Sequence, residues 1–217
     1  MAATMQQMNS REAWLEKRKS FIGGSDASAI VGMNPYKSNV ELWEEKTGRR
    51  IPDDISGKDV VKYGHDAEPF LRELFALDFP NMRVMYAENN IWTNDRYPWA
   101  HASLDGWLFD CEGRFGILEI KTTNILQSMQ REKWRGRIPD NYYIQVLHYM
   151  FVMEADFAVL KAQLKYDYDG EITLATNHYL IERKEVEADI DYLIKAEQRF
   201  GEYIKADKKP ALILPTI

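Results

Sequence analysis

Cysteine is nearly absent: Cys111 is the single one in 217 residues. That excludes an internal disulfide and any zinc site built from several cysteines. Cys111 falls in an expected turn, and no role is expected of it. No apolar run approaches the roughly 18 residues needed to span a bilayer. The opening segment MAATMQQMNS lacks the basic start and apolar stretch of a secretory signal, so a cytoplasmic protein is expected. Internal repeats, low-complexity tracts and Gly/Ser linkers are also missing. The sequence offers no place to divide it, and one domain over residues 1–217 is expected. A basic surplus is lacking too, since the formal net charge is −6. Phosphate-binding proteins usually carry excess positive charge, which weighs mildly against nucleic acid. Net charge describes the average surface and not a cleft, and a site that collects carboxylates around metal ions is itself acidic.

What is present is ordinary globular composition, 45% hydrophobic and 29% charged. Ser10 precedes a helical stretch from Arg11 to Lys19 and is its expected N-cap. Phe21-Ile22-Gly23-Gly24-Ser25-Asp26 then supplies a tight turn and capping groups for a short helix, Ala27 to Val31. Asn34-Pro35-Tyr36 reads as a turn. Ser38 and Glu41 form a capping box for a helix that ends at Thr47, with Gly48 as its stop. A longer helix is expected from Asp59 to Leu77, carried by Val60, Val61, Ala67, Phe70, Leu71, Leu74 and Phe75 near helical spacing. From Arg83 onward the period shifts towards alternation. Strands are expected over Asn90–Thr93, Ala102–Phe109 and Gly116–Lys121, with a turn at Asp110–Gly113. Helices Ile125–Trp134 and Tyr142–Met153 follow. Strands Phe157–Tyr166 and Glu171–Ile181 are expected to pair across Asp169-Gly170, and a charged amphipathic helix, Lys184–Ile204, closes the chain. The expected fold is therefore α/β or α+β, a central mixed sheet flanked by helices. Its helical part covers about 10–80, its catalytic sheet about 83–181 and its last helix about 184–206.

The chemistry is concentrated in Ser103-Leu104-Asp105-Gly106 and Leu118-Glu119-Ile120-Lys121. Glu119 and Lys121 are two apart on a strand, so both side chains leave one face, roughly 7 Å apart. Ile117, Leu118 and Ile120 around them are apolar, and a charge at the end of a core strand is costly unless it has a task. Asp105, on the preceding strand of the same hairpin, can converge on Glu119. Two carboxylates and the Ile120 carbonyl suit a hard divalent cation such as Mg²⁺. Lys121 would then face an attacking water or a scissile phosphate. That equipment is what metal-assisted phosphodiester hydrolysis requires. The plainer alternative is an aspartate in a turn and an exposed Glu–Lys pair on an edge strand. Glu68 could add a third carboxylate or be a solvated helix charge. Tyr142 and Gln145 share a helix face, where Gln145 could orient a water or phosphate or simply be a satisfied buried amide.

Taken in order, Phe21-Ile22-Gly23-Gly24-Ser25-Asp26-Ala27-Ser28-Ala29-Ile30, Asn34-Pro35-Tyr36-Lys37-Ser38 and Glu41-Leu42-Trp43-Glu44-Glu45-Lys46-Thr47-Gly48 resemble the YqaJ-like viral recombinase family. That family is grouped with the phage lambda-type alkaline exonucleases of the PD-(D/E)xK nuclease superfamily, with its restriction-endonuclease-like core. The resemblance extends over about residues 11–155. It implies a Mg²⁺-dependent exonuclease, with Mn²⁺ as a substitute and two ions per site. Such an enzyme degrades one strand of linear duplex DNA from the 5′ end and leaves a 3′ overhang for recombination. On this resemblance Asp105 and Glu119 match the metal ligands, Lys121 the catalytic lysine, Glu68 the helix glutamate, and Tyr142 with Gln145 the Tyr-x-x-Gln element. Arg18 and Ser25 match the pair that holds a 5′-terminal phosphate. The superfamily's proline-aspartate is here Leu104-Asp105, a change that touches backbone shape and not chemistry.

Lys17, Arg18, Lys19 and Lys37, and then Arg131, Lys133, Arg135 and Arg137, are candidates for sequence-independent phosphate contacts. Trp134 interleaves with the second group and could touch a base or sugar. A solvated helix face and loop would explain the same residues. By resemblance, a trimeric ring and a single-strand annealing partner are implied, and no membrane is involved. A structure- or site-specific endonuclease and a non-catalytic DNA-binding recombination protein are the competing readings.

Overall fold

The computed structural model describes residues 3–214, with Tyr168 by its backbone alone. The ends of the expected single domain, residues 1–2 and 215–217, lie outside this range. Local signals act where the sequence places them. Helix α1 (Arg11–Lys19) is capped by the Ser10 hydroxyl, which accepts the Ala13 amide. In α2 (Gly24–Ile30) the cap differs from expectation. Gly23 is the N-cap residue, and the Asp26 carboxylate reaches back to accept the Gly23 amide. Helix α3 (Asn39–Lys46) carries the Ser38–Glu41 capping box, and α4 spans Asp59–Asp78.

Among the described residues, eight strands form two sheets. An antiparallel three-stranded sheet, which was not anticipated, has the order β1 (Ala3–Gln7), β3 (Asn90–Asn94), β4 (His101–Ala102). The mixed five-stranded sheet has the order β2 (Arg83–Met85), β5 (Gly106–Phe109), β6 (Phe115–Ile125), β7 (Phe157–Tyr168), β8 (Glu171–Glu182). Strands β6 and β7 are parallel, so the chain must cross over between them. It does so through α5 (Ser128–Lys133) and α6 (Asp140–Met153). After β8 a short 3-10 turn at Arg183–Glu185 leads into α7 (Glu187–Lys205).

Three expectations are corrected. The strand expected over Ala102–Phe109 is two strands in different sheets, with residues 103–105 crossing between them. Ile125 ends β6 and does not begin a helix, because its run of pairs with β7 extends to Tyr166. Trp134 is buried rather than free to touch DNA: its ring packs 5.6 Å from that of Tyr142 and 6.0 Å from that of Tyr179.

Alternation along the strands divides the interior. Leu118, Ile120, Phe157 and Val159 face α4 and meet Leu71 and Phe75. Ile117, Ala158, Leu160, Ala162 and Leu164 face the other way, where α6 supplies Ile144, Leu147, Met150 and Phe151. Glu119 and Lys121 share the parity of Ile117 and so leave the sheet on the α6 side.

Candidate active site

The site forms where the β5–β6 ladder ends. Pairing stops at Gly106 opposite Leu118, so Glu119 to Lys121 have no β5 neighbour. Asp105, one residue ahead of β5, fills that role with its side chain: Oδ2 accepts the Ile120 amide at 2.8 Å. An extended residue presents its N–H and C=O to one edge, so the Ile120 carbonyl faces the same opening. Glu119 is almost fully buried, and its Oε1 lies 2.5 Å from the Lys121 ammonium. Gln145 on α6 donates from Nε2 to the same Oε1 at 2.8 Å and to the Tyr149 hydroxyl at 3.1 Å. The Lys121 ammonium stands over the Tyr142 ring, 5.3 Å from its centroid. Asp105, Glu119, Lys121, Tyr142 and Gln145, proposed from sequence, are thus brought together.

Residues 104 and 105 lie between sheets, and side chains replace the missing ladder. Asn90 Oδ1 accepts the Leu104 amide at 2.8 Å, and its Nδ2 donates to the Leu104 carbonyl at 2.9 Å and the Ala87 carbonyl at 2.8 Å. A proline at 104 would have no N–H for this bracket, so Leu104 changes how the aspartate is held. Arg72 Nη1 donates to the Asp105 carbonyl at 2.5 Å and to Glu68 Oε1 at 2.9 Å, with its guanidinium 3.5 Å from the Tyr86 ring centroid. Sequence reasoning missed Asn90, Arg72 and Tyr149. Asn90 and Arg72 reach partners 14 and 33 residues away, whereas Tyr149 lies one helical turn from Gln145.

The electrostatics of the cluster suit a bound cation. Burial pushes the Asp105 carboxyl well above the usual range, and the charges of Glu119 and Glu68 add to this against Lys121. Burial also raises Glu119, opposed by Lys121. Burial alone would lower the Lys121 ammonium, but the Glu119 and Asp105 carboxylates together push it upward and keep it charged. Glu119 Oε2 is buried with no hydrogen-bond partner among the described residues. Two repelling carboxylates, one with an orphaned oxygen, beside a backbone carbonyl form a donor set that fits Mg²⁺. Glu68 is turned to Arg72, and among the described residues no three His, Cys, Asp or Glu side chains gather as a closed ligand set.

These groups line a cleft of about 1120 Å³ that also takes in Arg18, Lys37 and Arg50. Arg18 lies 4.2 Å from the Trp14 ring centroid, and the Trp14 indole donates to the Asn90 carbonyl at 3.0 Å. Ser25 is exposed in the first turn of α2. The glycines before it are required by close approach. A Cβ on Gly23 would lie 2.7 Å from the His101 ring, and one on Gly24 2.6 Å from that of Tyr149. The other basic candidates scatter. Lys37 pairs with Glu45 at 2.5 Å, Lys19 pairs with Glu16 at 2.5 Å, and the Lys17 ammonium is 5.5 Å from the Phe21 ring centroid. Arg131, Lys133, Arg135 and Arg137 are all exposed, on or just after α5.

Comparison with known proteins identifies the fold and the family. The fold is shared with an alkaline exonuclease from Laribacter hongkongensis, at TM-score 0.61 and 17% identity over 90% of this chain and 93% of that one. A phage-related exonuclease from Haemophilus somnus 129PT aligns at TM-score 0.51 and 15% identity, over 86% of this chain and 96% of that one. In sequence, the chain is 31% identical to the YqaJ protein of Bacillus subtilis (strain 168) over 213 residues, which is 94% of this chain. It spans 59% of that relative's length. The YqaJ-like viral recombinase domain matches residues 13–156, a stretch that contains Arg18, Glu68, Asp105, Glu119, Lys121 and Gln145. The chain belongs to the YqaJ-like viral recombinase family.

Proposed function

We propose that this protein is a divalent-metal-dependent exonuclease that degrades one strand of linear duplex DNA from its 5′ end. The observation that carries the reading is the buried Glu119 carboxylate. One oxygen is held by Lys121 and Gln145, the other is buried with no partner among the described residues, and the charge of Glu119 acts on Asp105, which holds the Ile120 amide. Asp105, Glu119 and the Ile120 carbonyl would hold Mg²⁺, with Mn²⁺ as a substitute, and Glu68 is within reach on α4. A bound cation neutralises phosphate charge and lowers the pKa of a water. Lys121 stabilises negative charge that develops on the scissile phosphate. Gln145 holds Glu119 in orientation, and Tyr142 walls the ammonium.

Arg18, supported on Trp14 in the same cleft, supplies two parallel donors for a 5′-terminal phosphate. Ser25 at the start of α2 is its proposed companion. Holding the end fixes polarity, since the cut then falls just inside it. The 3′ overhang so produced is the substrate of a single-strand annealing protein, the proposed partner. Self-association into a ring belongs to the same reading. It is supported by apolar residues left uncovered on the α4 side of the large sheet: Phe70, Leu74 and Leu77 on α4, and Leu174 and Leu180 on β8.

Digestion of a linear duplex labelled separately at each end, with and without Mg²⁺, tests the proposal. Loss of the 5′ label first, only with metal, is the expected outcome. Cleavage of a covalently closed circle would instead establish an endonuclease, and no digestion of any duplex would leave a binding protein.

A further inference from the structure

Helix α2 meets different surroundings at its two ends. Gly24 at its start packs on Tyr149 and Gln145 of the cleft. Ile30 and Val31 at its far end line a second groove of about 400 Å³, which shares no lining residue with the cleft among the described residues. This groove lies between α7 and the tail after it, residues 206–214, with Phe200, Pro210 and Ile213 as further apolar walls. The tail is fixed in place. Asn39, itself buried, donates from Nδ2 to the Ala211 carbonyl at 2.7 Å and accepts the Ile213 amide at 2.9 Å. Gly32 approaches so closely that a Cβ there would meet Ile213 Cγ2 at 2.5 Å. A groove held by such contacts is preformed, which spares a ligand the cost of ordering it.

The rim carries charge of one sign. Tyr192, Lys195 and Arg199 follow at helical spacing and make one exposed stripe along the lip. Arg199 gives one of its five donors to the Tyr203 hydroxyl at 3.3 Å. Among the described residues neither cation meets a carboxylate, whereas on the tail Lys209 pairs with Glu44 and Asp207 with Arg49. The chain has a net charge of −6, so two unpaired cations beside an apolar groove call for acidic groups from outside. A flat aromatic face would suit a stacked base. A concave apolar floor suits an inserted side chain. We propose that this groove docks a segment of a partner protein, which inserts a bulky apolar side chain and sets carboxylates against Lys195 and Arg199. The proposal is independent of the nuclease reading, because the groove is separate from the cleft and both can be filled together.

The probe is a short fluorescein-labelled peptide of aspartates and glutamates around a central Leu-Phe pair, titrated with the full chain at physiological salt and read by anisotropy. Saturable binding is expected. Lys195→Glu together with Arg199→Glu should weaken it about 10- to 100-fold, the range for lost hydrogen bonds to charged groups. A probe with Ser-Ser in place of Leu-Phe should bind wild type at least about 10-fold more weakly, as for loss of a buried anchor. Linear duplex and oligo-dT should leave the probe in place. Absence of saturable binding would overturn the proposal, as would equal affinity of the double variant or of the Ser-Ser probe. Displacement by oligo-dT would overturn it too, by making the stripe a nucleic-acid surface. If the double variant fails to fold, the Ser-Ser probe and a probe with lysine for every carboxylate carry the test on wild type, and tight binding of either sinks the idea.

Discussion

The Asp105 carboxylate accepts the Ile120 amide at 2.8 Å, so one side chain both completes the sheet edge and faces the candidate cation site. The two jobs can be separated. Asp105→Asn keeps an oxygen for the amide but loses the charge, whereas Asp105→Ala loses both. Both variants should lose metal-stimulated cleavage. Only the alanine variant should also lose stability, by about 1–3 kcal/mol for an unsatisfied buried donor. In EDTA the asparagine variant should melt at or above the wild-type temperature, because it relieves repulsion with Glu119 and Glu68. Thermal melts beside digestion assays check this. Equal destabilisation by both substitutions would contradict the strand-completing role.

Arg72 fixes the backbone of Asp105 and the carboxylate of Glu68 with one nitrogen. Arg72→Lys retains the charge but not the planar group seated on Tyr86. Mg²⁺ affinity or activity should fall about 10- to 100-fold, as for other groups that orient metal ligands. Titration calorimetry with Mg²⁺ gives the answer, and full affinity in Arg72→Lys would remove the orienting role.

Arg18 is proposed to hold the terminal phosphate. Arg18→Ala should reduce cleavage of 5′-phosphorylated duplex by about 10- to 100-fold, the loss of a charge-assisted hydrogen bond. Cleavage of 5′-hydroxyl duplex should change little. Equal losses on the two substrates would show that Arg18 serves packing on Trp14 and not end recognition.

His101 sets an acid limit on stability. Burial first, and then the charges of Arg18 and His148, lower its pKa to about 3. An unfolded histidine takes up its proton near pH 6.5. Between those values the unfolded chain binds more protons, so stability falls as pH falls from 6.5 towards 3. His148 works in the opposite sense. Burial alone would lower it, but the facing Glu197 carboxylate, 2.7 Å away, raises it, so its contribution fades as pH rises above 6.5. In EDTA the wild type should lose about 1.4 kcal/mol per pH unit below 6.5 from His101. His101→Asn, which cannot titrate, should flatten that limb in denaturant titrations between pH 6.5 and 5. An unchanged slope in the variant would assign the acid loss elsewhere.

Sequence alone determined whatever depends on neighbours in the chain. The Ser10 cap, the Ser38–Glu41 box and the β7–β8 turn at Asp169-Gly170, both at positive φ, follow from local hydrogen bonding and backbone sterics. The Glu119-x-Lys121 pair is equally local, because strand alternation forces both side chains to one face. Tertiary structure decided the rest. Nothing near residue 103 announces that the chain leaves one sheet for another. That crossing is imposed by Asn90 and Arg72, 14 and 33 residues away from their partners. Trp134 looked like a surface aromatic among arginines, yet burial against Tyr142 and Tyr179 removes more apolar area from water than exposure would. The close approach of Tyr149 to Gly24 likewise exists only once α6 packs against α2, because residues so far apart in sequence meet only through the fold.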